Sequence, residues 1–166
     1  MPELKPISPD SVAGALAKAE RYRLLNEPSD AESICRDILD IEPGNQQALI
    51  SLILALTDQI PHDASAFASA IAAIARLEGA YDRTYYAGIA WERRAKAYYS
   101  GIGRSPHHYA YEWIMRALRL FEEAEQHRVA GNDDAVLRWN ACVRFLALHR
   151  ELAPRAEEAP EPILSE

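Results

Sequence analysis

Signals that start a helix and signals that stop one alternate so closely along this chain that it has room for little besides short-linked helices. Ser8-Pro9 and Ser105-Pro106 each join a capping hydroxyl to a proline at the first helical position, and Ser29-Asp30-Ala31-Glu32 has the form of a capping box. Stops are expected at Pro43-Gly44-Asn45, Gly79, Gly101-Ile102-Gly103 and Gly131-Asn132, where glycine can take the left-handed conformation that closes a helix. Between these signals apolar residues recur at steps of three and four, as in Ile34, Ile38 and Ile41 or Ile114, Leu118 and Phe121. Each helix therefore carries one oily stripe and needs neighbours on that side. Seven helices are predicted, at about 9–26, 29–41, 45–58, 62–78, 82–100, 106–128 and 132–151.

Composition supports the same answer. Alanine, leucine, arginine and glutamate are abundant while valine and threonine are scarce, which favours an all-α fold. The 166 residues suit one domain, placed at 9–152 between a short extension (1–8) and an acidic tail (153–166). The tail sets Pro154, Pro160 and Pro162 among glutamates, a composition too poor in apolar area to offset chain entropy, so it is expected to be disordered. From Glu151 onward there are five glutamates against Arg155, so much of the net charge of −7 lies there. An acidic chain without a basic face is not expected to bind nucleic acid.

The richest apolar run, Ala48 to Leu56, is interrupted by Ser51 and is far short of the ~20 residues a bilayer requires, so membrane insertion is not expected. The first residues lack the basic start and apolar segment of a signal peptide, which points to a cytoplasmic location. Cys35 and Cys142 stand among apolar helical neighbours and are expected as buried thiols rather than a disulfide.

Self-similarity sharpens the expected architecture. In the first hairpin Ala15, Lys18, Ala19 and Tyr22 are followed by Ala31, Cys35 and Pro43, and the framework of Ala15 recurs after a 34-residue step as Leu49, Leu52, Ile53 and Leu56. Looser copies read Trp91, Arg94, Ala95 and Tyr98, with Ala110 and Ile114 on the partner helix, and then Trp139, Cys142, Val143 and Leu146. On these residues the chain resembles the tetratricopeptide repeat (TPR) family, whose 34-residue unit is a helical hairpin, over roughly Asp10 to Leu152. Lys18 and Arg94 depart from it by standing where leucine is usual, and the later steps, Leu49 to Trp91 and Trp91 to Trp139, are 42 and 48 residues.

The resemblance implies an α-α superhelix of antiparallel hairpins whose first helices line a concave groove that holds a peptide or a partner's helix. Carried over, the groove would present Glu92, Lys96 and Tyr99 on the fifth helix and Asn140 and Arg144 on the seventh, with Arg93 at its edge. Such a set suits a peptide. Asparagine holds a backbone amide from both sides, while Lys96 and Arg144 attract a carboxylate. Glu92 and Lys96, and Asn140 and Arg144, are each four residues apart and share a helix face. Of the many aromatic residues from Tyr81 to Trp113, most are expected in the core, with Tyr86 and Tyr99 as the partly exposed members of their adjacent pairs.

The implied function is a protein-interaction scaffold or adaptor. A secretion-type chaperone for an exported subunit and a self-assembling structural module, in which the last helix packs on another copy, are the alternatives. Catalysis is not expected, because no Glu-x-x-His, His-Glu-x-x-His, Gly-x-Ser-x-Gly or phosphate loop occurs. No metal or cofactor is called for. Glu123 and His127 stand alone, and the neighbours His107 and His108 point apart on a helix.

Overall fold

The computed structural model describes residues 2–101 and 107–154. Among these residues it is all-helical: a 3₁₀ turn, Pro9–Ser11, leads into α1 (Val12–Leu24), α2 (Pro28–Ile41), α3 (Gln46–Gln59), α4 (Ala66–Ile74), α5 (Ala80–Ser100), α6 (His107–Glu125) and α7 (Asp134–Leu148). Ser105-Pro106, Gly103 and the tail from Arg155 lie outside the described residues.

Several ends are built differently from their sequence reading. The capping box at Ser29 is not used. Helix α2 begins at Pro28, whose ring presets the helical φ, and Glu32 instead bonds Arg36 Nε (2.8 Å) and Gln59 Nε2 (2.7 Å). Asn26, at φ 61°, supplies the left-handed turn after α1. Asn45 is a start rather than a stop: its Oδ1 accepts from Ala48 N at 2.9 Å as the N-cap of α3. Gly79 likewise precedes α5 in an extended conformation, while Gly131 (φ 84°) does take the left-handed form. Helix α4 is much shorter than expected. Asp63 accepts from both Ser65 N and Ser65 Oγ at 2.8 Å, an Asx turn that competes with helix before Ala66. At its far end Arg83 donates to the carbonyls of Leu77 and Glu78 and holds the next turn open.

Consecutive helices pack side by side in opposite directions. Glu32 near the start of α2 meets Gln59 at the end of α3, and Tyr98 near the end of α5 packs edge-on against Trp113 in the first half of α6. Alternate helices also touch: α1 with α3, α3 with α5, and α5 with α7. These four run parallel, since Arg23 reaches Asp58 at their C-terminal ends, Asp58 reaches Arg93, and Tyr99 reaches His149. The odd-numbered helices thus form one layer and the even-numbered helices pack behind it.

Two apolar clusters fill the space between layers. The first, chiefly from α1 to α4 with Ala90 of α5, includes Ala19, Ala31, Cys35, Ile38, Leu49 and Ile53, each fully buried. Ala19 and Ala31, the small pair expected where two helices touch, are both in it. The second, from α5 to α7, is centred on Phe121 with Ile89, Ile114 and Cys142. Helix α5 approaches α6 at Gly88, where a Cβ would fall 2.5 Å from Phe121 Cε1, so only glycine admits that ring.

Both cysteines are buried and free. Burial pushes the Cys35 thiol up to about 11 and the Cys142 thiol up to about 12. A thiol that resists ionisation in the fold but ionises near 9.0 when unfolded stabilises the native state fully below pH 9 and loses that contribution as pH rises toward 11 and 12. Midpoints of denaturant unfolding are therefore expected to hold between pH 7 and 8.5 and fall steadily from pH 9 to 11. The Cys35→Ala/Cys142→Ala variant is expected to show a shallower fall, and equal slopes would contradict the assignment.

Candidate functional site

The C-terminal ends of α1 and α3 and the C-terminal half of α5 are tied by charge. Asp58 Oδ2 accepts from Arg23 Nε (2.9 Å) and Nη2 (2.8 Å), while its Oδ1 pairs with Arg93. Arg93 also donates to Thr57 Oγ1 at 2.6 Å and to the Leu54 carbonyl at 3.2 Å. Desolvation draws the Arg93 guanidinium down, and Asp58 opposes it. The three ladder residues lie 35 apart in both steps, so equal heights on α3 and α5 are set by a shorter interval than the 42 residues from Leu49 to Trp91.

Beside this ladder opens a cleft of about 770 Å³, lined chiefly by Asp58, His62, Arg93, Lys96, Ser100 and the edge of Pro61. Of the residues assigned to the groove from sequence, Arg93 and Lys96 line it. Glu92 does not: it is 1 % exposed and lies beneath the surface, where Oε1 takes Lys96 Nζ at 2.5 Å and Oε2 faces Arg138 Nη1 at 3.4 Å. Its helix position turns it toward α7 rather than outward. Lys96 is held twice, by Glu92 and by the Phe145 ring 5.3 Å from Nζ, yet remains partly exposed.

Tyr99 is partly exposed, as expected of one member of the Tyr98-Tyr99 pair, but its hydroxyl and ring are committed within the fold. Its hydroxyl bonds His149 Nδ1 at 2.9 Å and Glu151, and its ring meets Phe145 edge-on at 5.7 Å. The bond to Glu151 raises the Tyr99 hydroxyl and lowers the Glu151 carboxyl. Tyr86 is half-buried as well, packed edge-on against Tyr85, and burial pushes it up to about 12. On α7, Asn140 is half-buried and Arg144 exposed, and among the described residues neither makes a side-chain hydrogen bond or ion pair. They face no part of the cleft lining.

Sequence reading missed Asp58, Thr57 and His62. A signal was present: charges of alternating sign at Arg23, Asp58 and Arg93 repeat at a constant step on three parallel helices. Among the described residues no group of three His, Cys, Asp or Glu is placed to hold a metal, and no helix is long and apolar enough to cross a membrane. Comparison with family models, with curated proteins and with solved structures finds no match.

Proposed function

We propose that the chain is a non-catalytic TPR-like scaffold that holds a peptide or helix of a partner protein across the C-terminal ends of its odd-numbered helices. The observation that carries this is the parallel layer of α1, α3, α5 and α7 with an open cleft against it. An irregular α-α superhelix, with hairpins enlarged after α4, is the form of that layer. Two wetted cations, Lys96 beside the cleft and Arg144 on α7, favour an acidic partner segment. Captures from native lysate by the wild type, Ser100→Trp and Arg144→Ala test it. Ser100 is exposed at the cleft wall, so the indole fills the space without disturbing the core. A partner bound by the wild type is expected to be lost at least tenfold from Ser100→Trp and weakened several-fold by Arg144→Ala, while Arg36→Ala on α2 leaves it bound. Equal capture by all four places binding elsewhere.

One observation favours a second reading, a self-assembling module. Helix α7 leaves Leu137 (63 %) and Leu148 (79 %) in solvent on one side and Trp139 (37 %) and Val143 (38 %) partly so on the other, apolar side chains that a second copy would cover. A mass by light scattering that stays monomeric at every concentration removes this reading without touching the first.

A further inference from the structure

Arg94 occupies a position where the repeat pattern calls for leucine, and its surroundings are unusual. The guanidinium carbon lies 4.2 Å from the centre of the Phe67 ring, 4.2 Å from that of Trp113 and 5.3 Å from that of Trp91. Helices α4, α5 and α6 each contribute a ring. The rings brace one another, Phe67 edge-on to Trp91 at 4.8 Å and Tyr98 edge-on to Trp113 at 5.1 Å. A second arginine, Arg116, stacks on Trp91 at 4.2 Å. Among the described residues neither guanidinium bonds a carboxylate or a carbonyl.

Aromatic faces satisfy the charge of a guanidinium but not its N–H groups, which point outward in the plane of the fork. Arg94 is thus a planar donor pair whose orientation is fixed in advance by rings, at the edge of a cleft of about 600 Å³ lined by Ile60, Pro61, Phe67, Tyr98 and Trp113. The nearest acid in that lining, Asp63, is occupied by Ser65. A lysine would supply charge without the fork, and a leucine would supply packing without either.

We propose that this cleft is a binding site for a carboxylate carried on an apolar or aromatic body, with Arg94 receiving the two oxygens and the Ile60, Pro61, Phe67 and Trp113 wall receiving the body. Bidentate geometry selects a planar oxyanion. The site lies on the side of α5 facing α4 and α6 and adjoins the cleft beside Arg93 along Pro61 and Ala97, but Arg94 and the rings belong to it alone.

The probe is 3-phenylpropionate, with its neutral amide as control, titrated into the full chain and followed through the three tryptophan indole N–H resonances. Trp113 is expected to shift saturably, with half-saturation of about 1 mM for a ligand of this size, while exposed Trp139 stays in place. The amide is expected to bind at least tenfold more weakly. Arg94→Lys is expected to lose about tenfold and Arg94→Gln to lose saturation. The acid–amide comparison in the wild type stands even if a variant folds poorly. Equal binding of acid and amide, or Trp139 moving in step with Trp113, overturns the proposal and leaves Arg94 as packing alone.

Discussion

Phe121→Ala is expected to cost about 3–5 kcal/mol. The ring is fully buried, among the largest such side chains, and fills the contact between α5 and α6 against the bare backbone of Gly88. Its removal leaves a hole that rigid neighbours such as Ile89 and Ile114 close only in part. The same contact makes a second variant informative. Gly88→Ala in the wild type forces a Cβ into the ring at 2.5 Å and is expected to cost about 1–3 kcal/mol despite the better helix propensity of alanine. In the Phe121→Ala background the methyl enters vacated space, so Gly88→Ala becomes neutral or favourable. Urea denaturation of the four proteins gives the coupling directly. Additive losses would mean that the two residues do not share the contact.

Glu92→Ala is expected to cost about 1–2 kcal/mol, below the usual range for breaking a buried ion pair because the charges left behind are not buried. The carboxylate is 1 % exposed, whereas its partners Lys96 and Arg138 reach solvent and can rehydrate once it is gone. Glu92→Met, which keeps volume and removes charge, is expected to recover part of that loss. Both are read by the same denaturation midpoints. A cost below about 0.5 kcal/mol for Glu92→Ala would show a carboxylate that reaches water instead.

Helix positions were legible in the sequence because proline, glycine and asparagine act locally: Pro28, Asn45 and Gly131 all mark boundaries, even where Asn45 starts a helix rather than ending one. The extent of α4 was not legible, since alanines and isoleucines at 66–74 carry a helical period that nothing apolar contradicts. The Asx turn at Asp63 and the reach of Arg83 decide its length. Glu92 shows the limit for sites. A four-residue spacing to Lys96 says that two side chains share a face, not whether the face looks outward or toward α7. The contacts of Tyr99 were hidden for a similar reason, because its partner His149 lies fifty residues on.

The Arg23, Asp58 and Arg93 ladder carries one more consequence. Oily contacts hold the hairpins together throughout their length, but the spacing of α1, α3 and α5 at their C-terminal ends is kept by ions. That edge behaves as the pivot of a fan. Because the ladder side chains are about three-quarters buried, salt screens that pivot only weakly and the blades are expected to keep their spacing. A partner lying across these ends would then meet the same spacing at low and at high salt, and any salt dependence of its binding would come from its own charges.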